Sequence, residues 1–235
     1  MMDQAQRLAA VKQRIGAAER QAGRDAGSVR LIAVGKTFPA ADIRAFYALG
    51  QRDFGENYIR EWQLKAEELA DCAGLLWHII GHVQSNKSRP VAEGAHWLHT
   101  LDSAKLARRL SDQRPPQLPD LQVCIEINIS GEAAKHGVTP EQMLPLAREV
   151  AQLPRLKLRG LMCVAEATDN HAALRAQFDA MRNLLRELQT VAPQADTLSM
   201  GMSGDLETAV ACGATMVRIG SALFGRRDDG ASENG

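Results

Sequence analysis

From about Val29 to Phe224 the chain alternates short apolar stretches, rich in β-branched residues, with longer stretches whose apolar side chains recur every three or four positions. The short stretches read as strands: VRLIAVGK, RDFGEN, LLWHIIG, HWLHTLD, LQVCIEINIS, LKLRGLMCV, DTLSM and ATMVRIG. Helical patterns lie between them, around 40–49, 59–69, 103–110, 140–152, 170–189 and 204–211. LIAVG and CIEINI show little polar alternation, as parallel strands covered on both faces require. About eight βα units in about 200 residues predict an α/β fold, a single (β/α)8 TIM-type barrel occupying 1–235 as one domain. An open doubly wound sheet is the alternative. Ahead of the barrel, Leu8, Val11 and Ile15 fall at helical spacing among charges, so 1–28 reads as an N-terminal amphipathic helix region. QRPPQLPDL reads as a loop rather than a linker between domains. Residues 226–235 lack apolar content and are expected to be a disordered tail.

Composition narrows the partners. With 28 basic against 28 acidic residues, the chain has no charge excess that would recruit nucleic acid or a membrane surface. The four cysteines, Cys72, Cys124, Cys163 and Cys212, form no CxxC pair and are read as buried thiols of a reducing compartment. The N-terminus lacks the apolar segment of a signal peptide, and no apolar run is long enough to span a bilayer. A cytoplasmic location is the expectation.

Three features suggest chemistry. Lys36 ends the first strand pattern, where a barrel places its active-site side chains, and Val34, Gly35 and Phe38 around it predict a partly desolvated amine able to attack an aldehyde. A solvated lysine in a βα loop fits the same pattern. SMGMSGDLETAV turns a strand directly into a helix, with Gly201 and Gly204 permitting close backbone approach and Ser203 at the expected N-cap. MVRIGSALFG repeats the device with Gly220 and Ser221, and barrels commonly bind phosphate at the loops after strands seven and eight. Arg218 lies within the last strand. If it faces inward it needs a partner: a phosphate, a carboxylate or a ring nitrogen of a ligand, or else a strand carboxylate such as Glu126 in a structural salt bridge. No metal site is expected: His78 and His82 lie along one strand and its end, too far apart to share an ion, and His96 and His99 have opposite strand parity. Walker, dinucleotide-binding and nucleophile-elbow motifs are missing from the sequence.

AVGKT, FGENY, WHIIGHVQSNK, LRGLM, LSMGMSGDLETAV and TMVRIGSALFG, in this order, closely resemble the pyridoxal phosphate homeostasis protein family over about 31–226. The resemblance implies the barrel of the alanine racemase N-terminal domain and pyridoxal 5′-phosphate (PLP) as cofactor. It implies Lys36 as the covalent Schiff-base lysine, Ser199, Gly201, Met202, Ser203, Gly220 and Ser221 around the phosphate, and Arg218 facing the pyridine nitrogen. Asn57 and His78 are implied near the ring. Val83 and Arg60 depart from the family's usual leucine and glutamine, outside the implied contacts.

An arginine at the pyridine nitrogen opposes its protonation and makes the ring a poor electron sink, so slow chemistry is expected. No motif nominates Tyr47 or Tyr58 as a second acid–base group. The expected role is therefore non-catalytic: PLP buffering and delivery, with PLP-dependent apo-enzymes as partners and the chain a monomer. Lys135 is a candidate second amine for transfer, though a solvated loop lysine is the preferred reading. A slow amino-acid racemase and a sugar-phosphate aldolase using the same lysine are the enzymatic alternatives.

Overall fold

The computed structural model describes residues 2–225. Its strands are β1 (Arg30–Val34), β2 (Asp53–Glu56), β3 (Leu76–Ile79), β4 (Trp97–Leu101), β5 (Leu121–Glu126), β6 (Leu156–Met162), β7 (Thr197–Ser199) and β8 (Met216–Ile219). Each pairs in parallel with the next, and β8 returns to β1 with Ile32 opposite Arg218. That last pairing closes the barrel and excludes the open sheet. The tail expectation for 226–235 lies outside the described residues.

Helix α1 (Gln4–Gln21) precedes the barrel, and one helix follows each strand. These are α2 (Ala40–Ala48), α3 (Ile59–Glu68), α4 (Ser88–Gly94), α5 (Ala104–Gln113), α6 (Pro140–Val150), α7 (His171–Leu188), α8 (Leu206–Ala211) and α9 (Ser221–Phe224). Local chemistry sets several of the starts. Asp3 and Gln6 form a capping box on α1, as do Thr139 and Gln142 on α6, where Pro140 opens the first turn. Ser103 caps α5, and Asn170 accepts from both Ala172 and Ala173 at the start of α7. The hydrophobic pattern gives no sign of α4. Its window is short, and Pro90 looks like a breaker, yet Pro90 sits in the first turn, where no intrahelical N–H bond is needed. The fifth strand ends at Glu126 rather than Ser130, and the chain then makes only an isolated bridge between Ile127 and Val138.

Two apolar layers hold the barrel. The larger, which includes Phe46, Phe54, Leu98, Leu106, Ile125 and Phe178, lies between sheet and helices. Each such fully buried side chain contributes roughly 1.5–3 kcal/mol relative to exposure. Leu8, Val11 and Ile15 join this layer, which docks α1 against α8 and α9. The smaller layer, Ile32, Trp97, Cys124, Met162 and Met216, fills the barrel interior. All four cysteines are buried and unpaired in disulfides. Among the described residues, no helix is long and apolar enough to cross a membrane.

Gly81, just beyond β3, is a point of forced contact: a Cβ there would stand 2.1 Å from the Asn57 carbonyl oxygen. Backbone cannot yield as a side-chain tip does. Gly81→Ala is therefore expected to lower unfolding stability by about 1–3 kcal/mol in urea titration. Gly204→Ala, which meets open space, should change it by less than about 0.5 kcal/mol. Equal effects would contradict this account of the packing.

Candidate functional site

A cavity of about 540 Å³ opens at the C-terminal ends of the strands. It brings together Lys36, Asn57, Met202, Ser203, Arg218, Gly220 and Ser221, which the sequence distributes over almost two hundred positions. Val34, Ile80, Met162 and Val164 add apolar wall. Of these only Val34 was singled out in the sequence, because an apolar strand-end residue looks the same whether it faces a ligand or the core. Among the described residues the lining contains two cations, Lys36 and Arg218, and no carboxylate.

Lys36 is the second residue after β1 and is exposed, so the expected desolvated amine is not found. Phe38 stacks on Phe224 instead of covering it. What fixes the lysine is the backbone beneath. Thr37 has φ 68°, a left-handed conformation that is costly for a β-branched residue, and its N–H donates to Glu61. Glu61 also accepts from Lys65, whose ammonium is buried and donates to Glu56 and to the Gly35 carbonyl. A hydrogen-bonded cluster, buried at Lys65 and Glu56 and half-buried at Glu61, thus holds the loop that carries Lys36. The pairing of Glu61 with Lys65 at four-residue spacing was its only sequence signal.

The β7 and β8 turns meet opposite. Gly201 has φ 104°, and a Cβ there would stand 2.7 Å from that of Ala209, so only glycine lets α8 fold back this closely. Ser203 is not the N-cap: α8 starts at Leu206 with Asp205 in that place, and the Asp205 carboxylate accepts from the Met202 N–H. Ser203 is thereby left on the cavity, with its hydroxyl 3.4 Å from that of Ser221. Asn57 Oδ1 is buried there with no hydrogen-bond partner.

Arg218 is buried, and burial lowers its pKa. Its guanidinium donates to Ser199 Oγ at 2.7 Å and to the Cys163 carbonyl at 2.9 Å. The ion pair with Glu126 does not form; Glu126 has instead one buried, unpartnered oxygen. Behind Arg218 a chain of hydrogen bonds crosses the barrel: Ser199 Oγ to His99 Nδ1 at 2.7 Å, His99 Nε2 to His78 Nδ1 at 2.9 Å, and His78 Nε2 to Asp53 Oδ1 at 2.8 Å. A guanidinium cannot accept, so the Ser199 hydroxyl donates to His99. Each imidazole then carries its proton on Nε2, and the chain ends on a carboxylate. Burial pushes both histidines down, His99 well below the ordinary range, which keeps them neutral. His78 and Ser199 therefore belong to the interior behind the cavity rather than to its lining, and Gly201 packs against Ala209 and Val217. His82, by contrast, stands exposed at the mouth.

This architecture, a closed parallel barrel with an amine after the first strand and a paired glycine–serine cradle after the last two, matches one known class. Residues 6–228 match the family described as alanine racemase, N-terminal domain. The chain is 54% identical over 227 residues to the pyridoxal phosphate homeostasis protein of Pseudomonas aeruginosa, covering 97% of each, and 47% identical to that of Escherichia coli, covering 97% of this chain and 98% of the relative. PipY of Synechococcus elongatus, solved with PLP bound, superposes with a TM-score of 0.82 at 38% identity over 95% of this chain and 100% of PipY. The chain belongs to the pyridoxal phosphate homeostasis protein family.

Two expectations follow from the interior. His99→Leu leaves His78 Nδ1 without its donor and the Ser199 hydroxyl proton without its acceptor in a dry site, and is expected to cost about 2–4 kcal/mol by urea titration; a loss under about 0.5 kcal/mol would mean the chain contributes nothing. Burial, with the charge of Asp102, raises Glu126 to about 7 against an ordinary 4.5, with Arg218 opposing. The folded state then holds a proton that the unfolded state releases. Its contribution is complete below pH 4.5 and is lost as pH rises through 7, about 3 kcal/mol in total. The cofactor-free protein should lose more stability between pH 5 and 8 than Glu126→Gln does, and parallel profiles would refute the assignment.

Proposed function

We propose that this chain binds PLP covalently through Lys36 and holds it for delivery to PLP-dependent apo-enzymes. The observation that carries the reading is the charge of the cavity: two cations, no carboxylate, and an orphaned buried oxygen on Asn57. The group fits these residues. Lys36 would offer the amine for its aldehyde, the Ser203 and Ser221 hydroxyls with the Gly220 backbone would suit its phosphate, and Arg218 would hold the ring nitrogen. The cavity volume lies within the range of small-molecule sites. The relatives' names and the PLP-bound PipY structure support the same cofactor.

PLP supplies an electron sink when bound, and this chain's residues do little to exploit one. Arg218 stays protonated, which opposes a proton on the nitrogen it faces. Lys36 and Arg218 are the titratable side chains of the lining, and an arginine does not serve as an acid–base group at neutral pH. The Tyr47 hydroxyl donates to the Ala73 carbonyl, away from the cavity, and Tyr58 lies exposed outside the lining. A second group to take or return a substrate proton is missing from this set, which favours a carrier over a racemase. An aldolase reading would leave the paired cradle and Arg218 serving a sugar phosphate and predicts a colourless protein. Buried free thiols fit a reducing cytoplasm, and we read the chain as a monomer in one domain.

The test is the visible spectrum of the purified protein after incubation with PLP, followed by borohydride reduction and peptide mapping. A yellow protein, with label on the Lys36 peptide and lost in Lys36→Ala, is the expected result. Label retained in that variant, or wild type that never takes up PLP, overturns the reading. Racemisation of single-enantiomer amino acids should stay well below about 1 per second, and faster turnover would favour the enzyme.

A further inference from the structure

We propose that His82, Asp102 and His136 form a binding site for one divalent transition-metal ion at the barrel mouth, apart from the cofactor cavity. The three side chains come from the segments after β3, β4 and β5, and their ligand atoms lie within 4.8 Å of one another. None of them lines the cavity that holds Lys36 and Arg218.

The backbone that presents them is anchored. Gly81, next to His82, packs directly on the Asn57 carbonyl. Gly137, next to His136, has φ 102° and packs on Glu126 and Asn128, while the Val138 N–H donates to the Glu126 carbonyl and Val138 accepts from Asn128. Asp102 follows the last residue of β4 and is partly buried. Its burial raises the carboxyl pKa, an effect opposed by His82 and His136, so a cation among the three would favour the ionised form.

The His82–Asp102 separation matches two ligands of one ion better than a hydrogen bond. His82 Nδ1 and Asp102 Oδ2 are 3.4 Å apart, too long for a good N–H···O bond. Two ligands about 2.0–2.1 Å from one tetrahedral ion are separated by about 3.3 Å. The His82 and His136 rings stack with centroids 4.0 Å apart and planes 9° from parallel. Stacked rings cannot aim both in-plane lone pairs at one point, so binding turns one ring. The His82 side chain is 35% exposed and His136 is exposed, which leaves room for that turn.

Two imidazoles and one carboxylate select a borderline ion such as Zn²⁺, Co²⁺ or Ni²⁺ over Ca²⁺ or Mg²⁺, which prefer oxygen ligands. Three protein ligands leave a coordination position for water or an incoming group. The strand spacing of His78 and His82 gave no hint of this cluster, because its members meet only through three separate loops.

Calorimetric titration of the cofactor-loaded full chain with Zn²⁺ tests it. A single ion should bind, with affinity about tenfold or more weaker in His82→Ala and in His136→Ala, and unchanged in His171→Ala, an exposed histidine on α7. Co²⁺ should give visible ligand-field bands that both ligand variants lose, with far-ultraviolet circular dichroism showing each variant folded. Uptake of Zn²⁺ with equal affinity by wild type and both ligand variants, or no uptake by wild type at millimolar Zn²⁺, would overturn the site.

Discussion

The interior of this barrel depends on one burial problem: a guanidinium that stays protonated is placed inside a ring of strands, and everything around it is arranged to keep it partnered. Arg218 donates to Ser199 and Cys163, and the polarity passes through Ser199, His99 and His78 to Asp53. Asp53 is the first residue of β2, so the chain runs from near the mouth to the base of the barrel. Arg30 stands 3.6 Å from Asp53 and closes the far end with an opposite charge. Every link has one donor and one acceptor only if both histidines are neutral. A buried polar network is stabilising when complete and destabilising when half-made, so the five residues act as a unit.

The same arrangement accounts for the division between cavity and core. Side chains in the loops just after β1, β7 and β8, Lys36, Ser203 and Ser221, face the opening, whereas Ser199 and His99, one layer deeper, serve Arg218. Met162 and Met216 belong to the apolar part of the interior, and Trp97 stacks on His78 at 5.6 Å, which keeps water from the imidazoles. Desolvation lowers both histidines and raises Glu126, and the two effects have one cause.

The eight strands could be read from the sequence because parallel strands covered on both faces are apolar throughout, and LIAVG and CIEINI say so without context. Helix α4 could not, since seven residues containing Pro90 show no period. Lys36, Arg218, Ser203 and Ser221 were legible because strand ends and glycine-bounded turns occupy known places in a barrel. The depth of a residue was not. His78 and Ser199 sit in motifs beside cavity residues, but strand position alone does not say whether a side chain meets a ligand or another side chain. The bond between His99 and Ser199 joins positions 100 residues apart, and nothing local encodes it. The Ser203 assignment failed for a nearer reason: Asp205, two residues on, takes the cap position and pulls the Met202 N–H to itself.

The Lys36 loop combines a clamped foundation with an amine left in solvent. Thr37, Glu61, Lys65 and Glu56 tie the backbone down from below, while among the described residues the Lys36 side chain remains exposed. A ligand can therefore arrive and depart without any segment swinging aside. Under the proposed role, residence time at such a doorway would be governed by making and breaking the covalent link, a step that competing free amines in the surroundings would hasten.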